Sequence, residues 1–369
     1  MSQPSPQHSG PRGSPLLDKL PESLLLKVLT NATSFFCLQN LRPTCRRIRG
    51  LLASEEHRAA RASEGIVDRA LVVVSRDFCN DVVQYHVLVD GHWRRSPWNL
   101  ESQREEQQAT VITRSASGEH VMFTGNSSDC SSSLISANTG HRHSLPPHQT
   151  TRHGPAACHW GDRTILAGGL VLGEDLDDPL RSVEVFDPAS MAWNSLPDMP
   201  HASFWATAGM IGSKLYVAGG KTYEEQRVTC LICLQIYDTT LNAWELGPDM
   251  PEHLHNASAA VVRGKLYIAG RSKTTKSYVC VYFTPESMEW KYTAPVGPVS
   301  DGLGGSRVHV VNHNKSLWVL YTNITDSENY WRQLQNDGEW SEVFLASVPE
   351  LPSHLVRSVR AVVSILFKP

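Results

Sequence analysis

Sixteen histidines and eight cysteines are the residues of this 369-residue chain with the widest capacity for chemistry. His141 and His143 form an H-x-H pair, His253 and His255 form a second, and Cys230 with Cys233 spans a C-x-x-C. Such pairs supply imidazole and thiolate to zinc, but a closed structural site needs two of them brought together. Cys230 and Cys233 fall in or beside a strand, where an odd spacing sends them to opposite faces. No metal and no cofactor is therefore expected. The remaining cysteines are scattered, and reduced thiols are expected in a chain of this size inside the cell. No Gly-x-Ser-x-Gly, phosphate-binding loop or Gly-x-Gly-x-x-Gly turn precedes a suitable helix. Catalytic residues are expected to be absent, and the chemistry to be that of binding.

Composition narrows the partners. A formal net charge of −3 argues against nucleic acid or an anionic membrane as the main one. No apolar run approaches the roughly 18 residues that span a bilayer. Residues 1–15 are rich in Ser, Pro, Gln and Gly and lack the apolar stretch of a secretory signal. They read as a disordered tail on a protein of the cytoplasm, the nucleus or both.

The elements that must position a binding site come from repetition. Lys214–Gly220 reads KLYVAGG, and 51 positions later Lys265–Gly270 reads KLYIAG. A strand-like run follows each, Leu234–Asp238 and Val279–Phe283, and then a tryptophan, Trp244 and Trp290. A period near fifty with glycine after one strand and tryptophan after another marks a β-propeller blade. Weaker copies extend the series. The glycine-ended strand recurs at Val121–Gly125 and Ile165–Gly169, and the tryptophan at Trp93, Trp193 and Trp340. The spacings of the tryptophans are 100, 51, 46 and 50, and the midpoint of the double gap is His143, a blade without its Trp. Six units result, beginning near 66, 106, 151, 200, 252 and 296.

Each unit reads as four short strands; in the fourth these are Ala206–Ile211, Leu215–Ala218, Leu234–Asp238 and Ala243–Leu246. The first unit offers Ala70–Ser75, Val82–Val89 and Trp93 but no first strand. The terminal segment Val359–Phe367 has the composition of one and no blade of its own. It is expected to complete blade one and close the ring, since an open propeller exposes a sheet edge.

These residues resemble the kelch repeat, in which a diglycine ends the second strand and a spaced Tyr and Trp follow. The resemblance covers roughly 66–369 and implies a mainly β, six-bladed kelch-type β-propeller. It also implies packing roles for Gly168, Gly169, Gly219, Gly220, Trp193, Trp244, Trp290 and Trp340. Copper oxidases that use kelch propellers need a Tyr/His/Cys ligand set, and none is evident here.

Residues 16–65 have a different texture. After Pro21, a residue welcome at a helix start, Leu24, Leu25, Val28 and Leu29 fall at helical spacing. Leu38, Leu41, Cys45, Ile48 and Leu52 make a second apolar stripe, flanked by Arg46, Arg47 and Arg49. So small an all-α domain gains stability from docking on a partner or from its helices docking on each other. The order L-P-x-x-L-L-x-x-x-L, then L-x-x-x-C-R-R-I-R-x-L-L, is similar to an F-box. Ile48 stands where many members carry Trp, and Pro43 moves the expected start of the second helix to its own neighbourhood. The resemblance implies docking on the Skp1 adaptor of a cullin–RING ubiquitin ligase through Leu20, Pro21, Leu24, Leu25, Val28, Leu29, Leu41, Cys45 and Ile48. F-box followed by kelch propeller is an arrangement abundant in plants. It implies a substrate-recognition subunit, with the propeller holding the protein to be ubiquitinated. The alternative is a kelch scaffold whose N-terminal helices cap the propeller or bind something other than Skp1.

Blades of this order put the loops between strands two and three on the same face as the loops entering each first strand, and such loops usually carry recognition. Glu174, Asp175, Asp177 and Asp178 make one side of that face acidic; Lys221, Arg227, Arg271, Lys273 and Lys276 make the other basic. The entering positions are Arg152 and His153, Phe204 and Trp205, His255 and Asn256, with Arg307 as a further equivalent. Phe204 and Trp205 are the expected anchors for a protein substrate, the alternative being that they pack under the neighbouring blade.

Overall fold

The computed structural model describes residues 21–30, single positions between 48 and 60, and strands and turns over 68–77, 82–89, 92–95, 109–115, 118–124, 130, 132–136, 142–171, 178–296, 308–313, 315–322, 329–335, 339–341, 344–345 and 359–367. The side chains described lie mainly within 142–171, 178–296 and 308–341. By contacts the chain divides into two units, residues 1–68 with 366–369, and residues 69–365.

In the first unit one helix, α1, spans Glu22–Thr30. Pro21 opens it, its carbonyl accepting from the Leu24 and Leu25 amides at 3.1 and 3.0 Å. Glu22 in the first turn and Lys27 in the last both suit the helix dipole. Leu25 and Leu29 are buried one turn apart, whereas Leu24 and Val28 form an exposed apolar stripe. Helical positions recur at Ile48, Gly50 and Leu51 and at Glu56, His57 and Ala60. Ser54 caps the latter, its hydroxyl accepting from the His57 amide at 3.1 Å.

The second unit is mainly β. Among the described residues there are six four-stranded sheets, plus two two-stranded hairpins. In the first sheet Val359–Phe367 lies beside Asp68–Asp77, followed by Val82–Val89 and His92–Arg95. The second runs Ala109–Ser115, Gly118–Thr124, Ser132–Ser136, Arg142–Leu145. The third is Ala156–Trp160, Arg163–Ala167, Val183–Asp187, Ala192–Leu196, and the fourth Thr207–Ile211, Lys214–Ala218, Leu234–Asp238, Ala243–Leu246. The fifth is Leu254–Val262, Lys265–Ser272, Tyr278–Thr284, Glu289–Tyr292, and the sixth Val308–His313, Ser316–Thr322, Asn329–Gln333, Phe344–Leu345. From the second sheet to the sixth, neighbours meet through their first strands.

Strand alternation explains the packing. In Lys214–Ala218, Leu215 and Val217 face a core shared with the third sheet, which includes Ile165, Val183 and Val185. Tyr216 and Ala218 face the opposite way, into a core with Ile268, Val281 and Phe283 of the fifth. A strand buried on both faces must be apolar at every position, which is why these runs do not alternate with polar residues.

Tryptophan latches tie the sheets in series. The indole N–H groups of Trp193, Trp244, Trp290 and Trp340 donate to the carbonyls of Pro146, Pro197, Pro248 and Ala294, at 3.0, 2.8, 2.8 and 2.8 Å. Each acceptor lies just past the outermost strand of the preceding sheet. Trp193, Trp244 and Trp290 also pack, with tilted rings, against Phe186, Tyr237 and Phe283 of their own third strands. His143 occupies the equivalent register in the second sheet, opposite Leu134. Trp340 departs from the pattern: it lies in an isolated bridge with Leu334, and the fourth strand of its sheet is Phe344–Leu345.

The diglycines are required by their backbone. Gly168, Gly169, Gly219 and Gly220 all have positive φ. A Cβ on Gly220 would come within 2.8 Å of the Phe204 carbonyl and the Ala206 amide. In the fifth sheet the second glycine is replaced by Arg271, and the strand runs on to Ser272 instead of turning.

Candidate ligand-binding face

Two kinds of loop meet on one face of the second unit. His153, entering the third sheet, bridges to Leu170 after its diglycine, and Phe204, entering the fourth, bridges to Lys221 in the same manner. The loops after the diglycines form the hairpins Leu170–Val171/Asp178–Pro179 and Lys221–Glu224/Arg227–Cys230, which neighbour one another. The tip of the second hairpin puts both Glu225 and Gln226 at positive φ. In the fifth sheet the corresponding region is the turn between Ser272 and Ser277, pinned by the Ser272 hydroxyl accepting from the amides of Thr274 and Thr275.

The expected site residues separate sharply on this scaffold. Arg152 does not present itself to a partner: it is 1% exposed. Its guanidinium donates to the Glu184 carboxylate, to the carbonyls of Gly168 and Ser182 at 2.7 and 2.8 Å, and to the Ser182 hydroxyl at 3.0 Å. Glu184 also accepts the Gln149 amide at 2.6 Å. One period on, Gln235 accepts the His201 amide at 2.7 Å, so both acceptors anchor the segment entering their own sheet. Phe204, the equivalent of His153, is buried as well, stacked on Tyr223. The expectation of binding roles for Arg152 and Phe204 is thus corrected, because the packing of the sheets and their loops uses both inwardly.

Trp205 is the residue that the loop turns outward. It is 46% exposed and has a φ of +54°, unusual for a bulky side chain. Its amide donates to the Gly154 carbonyl at 2.7 Å, and a Cβ on Gly154 would lie 2.0 Å from its Cδ1. Glycine there lets the indole cross the backbone entering the third sheet. His153 and Phe204 meet the ring edge to face, with the Lys221 ammonium 4.7 Å from its centroid.

His255 lies half-buried beside Cys230, with sulfur to ring nitrogen at 3.9 Å. Burial first, and then Lys221, Lys273, Lys276 and Arg271, push its pKa below the ordinary imidazole range. Asn256 is exposed at a bulge, with a φ of +50°. The Arg271 Nε donates to the Lys276 carbonyl at 3.3 Å. Arg307, Glu174, Asp175 and Asp177 lie outside the described residues, and Asp178 is exposed.

Tyr223, Gly154 and the Cys230–His255 contact were not expected. A glycine two residues after Arg152 was the available signal for a close approach; nothing in the local sequence signals the other two. Cys230 closes the inserted hairpin and Cys233 precedes the third strand, so the C-x-x-C is not one continuous strand. Burial pushes the Cys233 thiol up to about 11, and those of Cys158 and Cys280 to about 12. Among the described residues no group of three potential metal ligands converges. Nor is any helix there long and apolar enough to cross a membrane.

In the first unit, Leu25, Leu29 and Ile48 are buried and therefore do not offer side chains to an adaptor, which corrects that part of the expected surface. Pro21, Leu24 and Val28 are exposed. Leu20, Leu41, Pro43 and Cys45 lie outside the described residues.

Sheets of four strands, diglycine turns and tryptophan latches define a mainly β protein of kelch-propeller type. Residues 151–200 and 206–251 match the Kelch motif, the third and fourth sheets. The chain is 30% identical over 173 residues to Kelch-like protein 40 of Xenopus tropicalis, a match covering 45% of this chain and 26% of that protein. It is 28% identical over 183 residues to an F-box/kelch-repeat protein of Arabidopsis thaliana, covering 47% and 44%. Kelch-like protein 15 of Danio rerio is 32% identical over 123 residues, covering 32% and 19%. The matched segments span less than half the length of each of these relatives. The solved structure of YjhT has the same fold, with a TM-score of 0.50 and 13% identity, over 64% of this chain and 84% of that one.

Proposed function

We propose that this protein is the substrate-recognition subunit of an Skp1–cullin–F-box ubiquitin ligase. Residues 16–65 form the F-box-like helical domain, which docks on a Skp1-type adaptor through Pro21, Leu24 and Val28, with Leu20, Leu41 and Cys45 completing the contact. Residues 66–369 form a six-bladed ring closed by Val359–Phe367, and its loop face holds the protein to be ubiquitinated. The subunit selects and carries no catalysis of its own, and it works in the cytoplasm or nucleus. The observation that carries this reading is an amphipathic helix with an apolar stripe left outside, Leu24 and Val28, ahead of kelch sheets. Similarity to a relative named for both F-box and kelch repeats supports it.

A second reading has the N-terminal helices serving a kelch scaffold outside the ligase. Similarity to Kelch-like proteins, whose names carry no F-box, favours it. A pull-down with purified Skp1 separates the two. The adaptor reading expects retention by the wild type and loss on Leu24→Asp/Val28→Asp, two exposed positions where aspartate leaves folding intact. Equal retention by both, or by neither, refutes it.

A further inference from the structure

Resting on the propeller as the substrate-holding half, we propose that Trp205, Lys221, His255, Arg271, Lys273 and Lys276 form a binding face for an acidic peptide segment. Its carboxylates would run along the cations, and an apolar or aromatic side chain would lie on the indole.

Charge is the first support. Arg271 pairs across the strands with His255, Lys273 and Lys276 share the turn just after it, and Lys221 lies over Trp205, so loops of two sheets bring four cations into the electrostatic reach of His255. Among the described residues none of the ion pairs includes Lys221, Lys273 or Lys276. The Lys276 ammonium instead donates to the Lys273 carbonyl at 2.6 Å, which braces the turn that carries both. Among the described residues the acidic groups on these loops are few. Glu224 and Glu225 sit at the hairpin tip, and Glu252 accepts the Thr274 hydroxyl at 3.3 Å. A concentration of like charge is relieved by a partner of opposite charge, which also accelerates and orients encounter.

The second support is Trp205. A bulky residue in the left-handed region is strained, and such strain clusters at ligand clamps. Here two sheets hold it in place, one by the Gly154 backbone and the other by the Lys221 ammonium. An exposed, rigid aromatic beside cations is the composition of a binding hot spot. The surrounding Asp178, Glu224, Glu225 and Glu252 would repel a continuous phosphate backbone, and the whole chain carries −3. A peptide with a few spaced carboxylates avoids that repulsion.

The test uses the full chain and a fluorescein-labelled peptide of alternating glutamate and tyrosine, read by anisotropy beside its glutamine-for-glutamate counterpart. The glutamate peptide should bind about tenfold tighter than the glutamine one, with an affinity that falls as salt rises. Lys273→Glu/Lys276→Glu should remove about tenfold of that affinity, Lys273→Gln/Lys276→Gln a smaller part, and Trp205→Ala about fivefold. All three should keep the wild-type melting temperature and Skp1 retention. Equal binding of the two peptides, or charge reversal without effect in a folded variant, overturns the proposal. So does an oligothymidylate of equal charge that binds more tightly than the peptide. Peptide binding without Skp1 retention would instead sink the ligase reading and leave this face standing.

Discussion

Replacing Arg152 by methionine tests whether this residue is a structural pin or a contact for partners. Methionine preserves much of the aliphatic stem while deleting the guanidinium. The Glu184 carboxylate, 2% exposed, would then keep the Gln149 amide as a donor but lose the guanidinium, and the Gly168 carbonyl would lose a 2.7 Å bond. Removing one member of a buried ion pair costs about 3–5 kcal/mol, because the other charge remains desolvated. A buried carbonyl left without its donor adds about 1–3 kcal/mol where it cannot reach water. Arg152→Met should therefore destabilise the second unit by about 4 kcal/mol or more, since the two costs overlap. Arg152→Met/Glu184→Met removes the stranded charge and should recover about 1–3 kcal/mol of that loss. Urea unfolding followed by tryptophan fluorescence reads both, with unchanged slope as the control for compactness. A single variant within about 1 kcal/mol of wild type would refute the reasoning. So would a double variant no more stable than the single one.

Trp244→Phe keeps a ring against Tyr237 but deletes the 2.8 Å bond to Pro197, and should lower the urea midpoint by an amount equivalent to about 0.5–1.5 kcal/mol. No shift would show that the tryptophan latch does not hold the sheets together. His255 titrates below the ordinary imidazole range because of burial and of Lys221, Lys273, Lys276 and Arg271. The unfolded chain thus binds its proton first as pH falls, so this contribution to stability is present above the ordinary imidazole pKa and is lost as pH drops through the folded one. Melting curves should show a steeper loss between about pH 7 and 5 for wild type than for His255→Gln. Identical slopes would rule the effect out.

Much of the architecture was legible because it follows from local rules. Leu234–Asp238 and Ala243–Leu246 were read at their observed bounds, since strand pattern and proline-rich exits are visible in the residues themselves. Helix α1 was likewise readable from Pro21 and the spacing of its leucines. The hairpin Lys221–Cys230 was not: its turn places Glu225 and Gln226 at positive φ, without the Asn-Gly or Asp-Gly that usually announces such a turn. Which of Leu24, Leu25, Val28 and Leu29 face inward also escaped the helical pattern, because four apolar residues fill two stripes and packing chooses between them.

The sequence by itself determined the repeat, the strands, and the glycines and tryptophans that shape each blade, because period, φ and side-chain volume are properties of neighbouring residues. Only the tertiary structure decided the fate of the loop residues. Arg152 and Phe204 both looked like recognition residues, yet both are buried: Arg152 meets a carboxylate 32 positions away, and Phe204 stacks on the unannounced hairpin. Trp205, one residue further on, is turned out by a glycine 51 positions before it. Burial and charge pairing depend on what the fold brings alongside, and that is a matter of long-range contact rather than of spacing.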